Sequence, residues 1–235
     1  MNIKQPLQKL ESSTIYKDHS LNFQNIARYD FLTYLSLKES INKAYKKIKK
    51  EGPFKIIDVG CGQKPYEQLF KPTAKSYTGV DLDNTADVIA DVHDLPFKNG
   101  SFALALCFQV LEHVENPQKV VDEIYRVLNK DGRTILTTHG IWYFHPGPHD
   151  YHRWTHEGLE KLFDKFSEVK VWPTIKSYST VIQLINIELY TLSARNILLK
   201  IPLYFCILAL NIIGKILLSR GNNHMTINYL VLAKK

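Results

Sequence analysis

Cysteine and methionine are scarce in this chain, and acidic residues are outnumbered: 235 residues hold 3 Cys, 2 Met and 23 Asp+Glu against 30 Lys+Arg. Three cysteines far apart, Cys61, Cys107 and Cys206, exclude a disulfide framework and a zinc ribbon and suit a reducing compartment. The opening MNIKQPLQKLESS has no apolar stretch of the secretory kind, so a cytoplasmic location is expected. Nor is there an uncharged apolar run of roughly 20 residues, the length a bilayer-spanning helix needs. The segment IPLYFCILALNIIG fills only the fourteen positions between Lys200 and Lys215 and carries Pro202 and Asn211. Three readings of it stay open: a helix buried in the fold, peripheral contact with the inner face of a membrane through residues 197–218, or, least favoured by length, a span counted outward to Arg195 and Arg220 with both lysines snorkelling. The acid deficit leaves a formal charge of +7, which suits anionic partners without selecting one.

With 45% hydrophobic and 23% charged residues, the chain can bury one sizeable core and global disorder is excluded. The first fifty residues look helical and end in KAYKKIKK (Lys43 to Lys50), a solvated helix face, before Gly52-Pro53 breaks the helix. That divides the chain into a helical cap, 1–52, and a domain, 53–235, with an apolar helical insertion at about 176–224. Short β-branched runs recur at Phe54–Gly60, Tyr77–Asp83, Ala86–Val92, Ser101–Phe108 and Arg133–Thr138, and later at Glu168–Trp172 and Ile227–Lys235. After the fourth run, Asn116 and Pro117 start a helix whose Val120, Val121, Ile124, Val127 and Leu128 form one apolar face. Thr155 caps another helix, EGLEKLFDKF. Strands alternating with helices imply a parallel sheet with right-handed crossovers, and a ligand site beyond the carboxyl ends of the strands.

Those ends carry chemistry. Asp58-Val59-Gly60-Cys61-Gly62 closes the first strand with a turn whose glycines admit a ligand close to the backbone. A dinucleotide fingerprint needs a third glycine where Pro65 stands, after Lys64, so pyrophosphate cradling is disfavoured. Asp81 lies nineteen positions after Gly62, where a carboxylate can accept hydrogen bonds from ribose hydroxyls, and Asp91 ends the third run. Singly, each aspartate reads equally well as a turn residue. Together they occupy successive strand tips.

DVGCG, YTGVD, ADVHDLPFKNGSF and CFQVLEHVENPQKVVDEIYRVLNKDGRTILTT resemble the successive motifs of the class I S-adenosylmethionine-dependent methyltransferases, over Phe54 to Thr138. The resemblance implies an α/β, Rossmann-like, doubly wound and mostly parallel seven-stranded sheet with helices on both faces and a C-terminal antiparallel strand. It implies S-adenosyl-L-methionine as cofactor, held by Asp58, Gly60, Cys61, Gly62, Asp81, Leu82, Asp91, Val92, Phe108 and Gln109. One departure is Ala103, where the family usually has an acidic residue after Ser-Phe. Pro65-Tyr66 and HPGPHDYHRWTHEGLEKLF further resemble small methyltransferases encoded beside bacterial surface-polysaccharide assembly enzymes.

Phe108-Gln109-Val110-Leu111-Glu112-His113 stands where base-modifying members carry an Asn/Asp-Pro-Pro-aromatic motif, and neither Cys61 nor Cys107 has a Pro-Cys context, so no nucleic-acid substrate is implied. For a hydroxyl acceptor a base is needed, and imidazole titrates near neutrality. His139, His145 and His149 are the candidate bases. Glu112-His113, placed on the helix after strand four, reads as packing or capping, or His113 as an acceptor contact. Trp142, Tyr143 and Trp154 offer flat faces to an acceptor, and Asp150, His152 and Arg153 polar ones, Arg153 toward a carboxylate or phosphate. The histidine spacing matches no standard metal pattern, and no metal is expected. The expected activity is O-methylation of a carbohydrate or lipid-linked glycan. The alternatives are C- or O-methylation of a lipophilic small molecule such as a quinone precursor, and a catalytically silent nucleoside-binding partner protein.

Overall fold

The computed structural model describes residues 25–147 and 149–235. The stretch MNIKQPLQKLESS, the rest of the first 24 residues and Pro148 lie outside them.

Seven strands form one sheet: β1 (Phe54–Val59), β2 (Ala74–Asp81), β3 (Val88–Ile89), β4 (Phe102–Phe108), β5 (Leu128–His139), β6 (Glu168–Pro173) and β7 (Asn228–Lys234). Their order is β3-β2-β1-β4-β5-β7-β6. β1 runs parallel to β2 and β4, as does β4 to β5, whereas β7 is antiparallel to both β5 and β6. The sheet reverses its winding between β1 and β4, and ligands in such sheets sit beyond that switch.

Alternation along the central strands sends side chains to two cores. Ile57, Val59, Ala105, Cys107 and Leu136 face one side, where α3 (Pro117–Val127) and α4 (His156–Leu162) pack with Val120, Ile124 and Leu159. Ile56, Leu104, Leu106 and Ile135 face the other, covered by Leu37, Ile41 and Ile48 of α1 (Phe31–Ile48) and by Phe70 of the short α2 (Glu67–Phe70). The caps follow the residues expected to make them: Asn116 Oδ1 accepts the Lys119 N–H at 3.1 Å, and Thr155 Oγ1 that of Gly158 at 3.1 Å. The lysines of KAYKKIKK are exposed while Ala44, Tyr45 and Ile48 between them are buried.

Three expectations need correction. The third strand is only Val88–Ile89, so Asp91 and Val92 lie past its end. The carboxylates of Asp83 and Asp91 accept the backbone N–H groups of Thr85 and His93, local turns that compete with strand pairing. Glu112 and His113 sit in a turn before α3, not on a helix. The insertion forms α5 (Ser177–Arg195) and α6 (Lys200–Ile216), and α6 is largely exposed instead of buried. With its preceding turn it makes a 20-residue helical run, Ile197–Ile216, long and apolar enough to cross a membrane by length and composition. Charge interruption at Lys200 and Lys215 does not shorten the helix itself.

The insertion is tied to the N-terminal segment by buried amides. Asn211 donates to the carbonyls of Ile26 and Arg28 at 2.7 and 2.8 Å and accepts from Asn186 at 2.8 Å, and Gln183 donates to the Tyr29 carbonyl at 2.7 Å. These contacts hold residues 26–29 against α5 and α6, above the carboxyl edge of the sheet.

Candidate active site

The turn after β1 is built by two hydrogen bonds to one carbonyl: the N–H groups of Gly60 and Cys61 reach Val80 O at 2.8 and 3.0 Å. Gly60 sits at φ +71°, and a Cβ there would lie 2.4 Å from Val110 Cγ2. Gly62 sits at φ +47°, and nothing lies within 4 Å of where its Cβ would be. Open space beside a left-handed glycine is what a ligand hugging the backbone requires. The Gly62 N–H donates to Asp81 Oδ2 at 2.9 Å, which fixes the carboxylate at the tip of β2 next to the turn. Lys64 pairs with Asp87, whose other oxygen accepts the Gly79 N–H at 2.7 Å, bracing the turn from behind.

A cavity of about 250 Å³ opens beside this turn. Asp58, Gly60, Cys61 and Gly62 line it from β1, and Phe108, Gln109 and His113 from beyond β4. His139 at the end of β5, with Trp142, Tyr143 and His145, forms the far wall. The N-terminal segment closes the top with Tyr29, Asp30, Thr33 and Tyr34, a contribution absent from the sequence reading. Gln63, Pro65 and Tyr66 complete the floor, and the Tyr66 ring meets Phe108 edge-on at 4.7 Å. Among the described residues lining the cavity the charged side chains are Asp30 and Asp58; none is Lys or Arg.

Burial sets the protonation of the walls. Asp58 is pushed up to about 7 by desolvation, against the 2.5 Å hydrogen bond it accepts from Tyr77. Desolvation likewise pushes the Cys61 thiol up to about 12, which makes it a small packing group and not a nucleophile. Glu112, fully buried, is raised to about 7 by the same cause; its Oε2 accepts from Thr138 Oγ1 at 2.9 Å, and Oε1 lies 3.3 Å from His139 Nε2. His139 is held well below the usual histidine range, first by burial and then by His145, Arg153 and His113. Its ring stacks on Trp142 at 5.1 Å, and the Asn228 side chain lies against it and opposes the downward shift. The His113 Nδ1–H donates to the His149 carbonyl at 2.5 Å, leaving Nε2 as that ring's acceptor nitrogen.

Several expected residues take other places. Asp81, Leu82, Asp91 and Val92 lie outside the cavity, at neighbouring strand tips on the same carboxyl edge, Leu82 largely exposed. His149 is corrected as a base: its ring stacks outward on Tyr151 at 5.3 Å, and only its carbonyl turns toward the site. Arg153 does not reach toward an acceptor. It grips Asp150 through both carboxylate oxygens, at 2.5 and 2.7 Å, and donates to the carbonyls of Trp142, Tyr143 and His152. Asp150 in turn accepts the His145 N–H at 3.0 Å. Trp154 packs against the core on the α3 side with His152 beside it, 5.5 Å between rings, and neither lines the cavity. The Asp150–Arg153 pair therefore shapes the loop that presents Trp142, Tyr143 and His145. No group of three or more His, Cys, Asp or Glu among the described residues is arranged to hold a metal ion.

A glycine turn, acidic strand tips and a cavity at the winding switch define the nucleoside-binding α/β class. Residues 57–136 match the family model for a methyltransferase domain. An uncharacterized protein of Methanocaldococcus jannaschii is 33% identical over 105 residues, 42% of this chain and 46% of that one. A ubiquinone biosynthesis O-methyltransferase of Paraburkholderia phymatum is 27% identical over 101 residues, 36% and 44% of the two chains. The chain thus spans less than half the length of these curated relatives. A SAM-dependent methyltransferase of Archaeoglobus fulgidus has the same fold, with TM-score 0.52 and 16% identity over 84% of this chain and 94% of that one. So has the cyclase SpnF, with TM-score 0.53 and 16% identity over 83% and 80%. Residues 57–136 thus match a methyltransferase domain, and the chain shares the fold of S-adenosylmethionine-dependent methyltransferases. A cyclase on the same framework is a reminder that the reaction must be argued from the site.

Proposed function

We propose that this protein is an S-adenosylmethionine-dependent O-methyltransferase whose acceptor is a small lipophilic molecule bearing a hydroxyl group. The open face of Gly62, with Asp81 fixed beside it, fits the cofactor: the turn receives the amino-acid end and Asp81 retains lone pairs for ribose hydroxyls. In this reading Asp91 and Val92, past the end of β3, meet the adenine, as the family resemblance implies. The bound cofactor supplies a methyl group on a sulfonium, a good leaving group, so the protein's task is alignment, exclusion of water and removal of the acceptor's proton.

The observation that carries this reading is that His139 lines the same cavity as the glycine turn while backed by a buried carboxyl. Burial keeps the His139 ring neutral and able to take the hydroxyl proton, with the Glu112 carboxyl 3.3 Å from its Nε2. His113 and His145 complete the imidazole wall, and Trp142 and Tyr143 offer faces to a planar acceptor.

The aromatic lining favours a lipophilic acceptor over a glycan bearing phosphate or carboxylate, for which the described lining has no cationic partner. The glycan reading rests on the resemblance of Pro65-Tyr66 and HPGPHDYHRWTHEGLEKLF alone.

Incubation with methyl-labelled cofactor tests the choice. Label is expected as a methyl ether in the solvent-extracted lipophilic fraction of a cell extract, and to fall about a hundredfold with His139→Ala. Label in a polysaccharide fraction restores the glycan reading. Cofactor binding with no label in either fraction favours a catalytically silent binding protein.

A further inference from the structure

Helices α5 and α6 pack together through a narrow inner stripe. On α6 that stripe is Ile207, Asn211 and Gly214. A Cβ at Gly214 would meet Leu32 Cδ1 at 2.4 Å, and Ser179 Oγ donates to the Gly214 carbonyl at 2.7 Å. The outer faces are apolar and bare. Tyr178, Val181, Ile185 and Leu192 recur along the outside of α5, and Ile201, Phe205, Ile212 and Ile216 along that of α6. The turn between them presents Ile197 and Leu198, 76% and 83% exposed. Most of the large apolar side chains exposed among the described residues lie on this hairpin. A continuous apolar patch on one element marks an interaction surface.

Its rim selects the occupant. Between Lys176 and Arg220 the chain carries Lys176, Arg195, Lys200, Lys215 and Arg220 against the single acid Glu188. Apolar residues flanked by exposed cations suit an anionic lipid surface, where the apolar face enters the acyl boundary and the cations meet headgroups. Spanning the bilayer is incompatible with the buried amides. Inserting Ile197–Ile216 would pull Asn211 from the carbonyls of Ile26 and Arg28 and leave amide groups unpaired in hydrocarbon. The inner side of the hairpin is also the outer wall of the cavity. Tyr190 of α5 stacks on Tyr29 at 4.0 Å, and Trp142 and Tyr143 pack against the cluster of Tyr29, Ile187 and Ile207.

We propose that the α5–α6 hairpin is an in-plane anchor for an anionic bilayer, holding the aromatic mouth of the cavity at the lipid surface from which the acceptor is drawn. The inference deepens the reading of a lipophilic acceptor and rests on it for the acceptor's route, not for the anchoring itself.

Sedimentation of the full chain with phosphatidylcholine vesicles, with or without phosphatidylglycerol, tests the anchor. Expected is binding to the anionic vesicles at least about tenfold tighter than to the neutral ones, weakened by salt. The double variant Ile201→Asp, Phe205→Asp, changed where both side chains are exposed, is expected to lose vesicle binding while keeping its melting temperature and its affinity for S-adenosylhomocysteine. The anchor is overturned if wild type ignores anionic vesicles, or if light scattering shows a dimer that the same variant breaks apart. Retention through an alkaline carbonate wash would overturn the in-plane geometry in favour of a span. Vesicle binding without methylation of any lipophilic acceptor supports the anchor and overturns the acceptor reading. Full turnover with no vesicle binding does the reverse.

Discussion

Glu112 and His139 face each other out of water, Oε1 of the one 3.3 Å from Nε2 of the other. Burial raises the carboxyl to about 7 and holds the imidazole well below its usual range, so both are uncharged in mildly acidic solution. Under the proposed function Glu112 is a positioning residue: ionised above neutrality, it stands 3.3 Å from His139 Nε2 and is anchored from the opposite side by Thr138.

The pH profile of kcat/KM is accordingly expected to rise through about pH 7, an inflection that belongs to the pair rather than to one group. Glu112→Gln keeps the shape of the side chain and should abolish the inflection, lower kcat about ten- to hundredfold and leave cofactor affinity unchanged. Asp58 titrates in the same range, so the variant, not the midpoint, assigns the ionisation. An unaltered inflection in Glu112→Gln would falsify the assignment.

The two glycines of the turn should separate stability from binding. Alanine at Gly60 brings a Cβ to 2.4 Å from Val110 Cγ2 in a left-handed backbone, and a loss of about 3 kcal/mol is expected in denaturant unfolding. Alanine at Gly62 meets no atom within 4 Å, so only the backbone term of about 1 kcal/mol applies. Its methyl would fill the open cradle. Calorimetry should show cofactor affinity lost by more than about tenfold in Gly62→Ala; affinity unchanged there would mean that the cofactor does not approach the turn.

The parts legible in the sequence were those with a local cause. Alternating β-branched runs located the strands, Asn116-Pro117 and Thr155 marked helix starts, and the tips of consecutive strands marked the carboxyl edge. The cavity's roof was not legible, because Tyr29 and Tyr34 belong to a segment that reads as a plain helical approach and is held there by amides more than 150 residues away, Gln183 and Asn211. Glu112 was read as packing because nothing near it in the chain announces His139, 27 residues on and across two strands. Arg153 was misread for the opposite reason: a cation in a mouth loop invites an acceptor anion, yet Asp150, three residues before it, had already taken the guanidinium.

That loop should also govern the protein's response to acid. His145 is depressed to about 4, first by burial and then by His113, while Asp150 pulls the other way and Arg153 adds to the depression. A histidine whose folded value lies below its unfolded value of about 6.5 contributes stability that is complete above pH 6.5 and is lost as pH falls through about 4. The shift corresponds to about 3 kcal/mol over that interval. His139 acts in the same direction. Glu112 and Asp58, raised to about 7, act oppositely: their contribution is complete in acid and lost as pH rises toward 7. The opposing slopes should leave a broad maximum in mildly acidic solution. His145→Gln keeps the backbone N–H that donates to Asp150 but removes the titrating ring. Unfolding by denaturant at pH 7, 6, 5 and 4 should then show a variant whose stability falls less steeply than wild type below pH 6. Parallel curves for the two proteins would show that His145 is not held neutral by its burial.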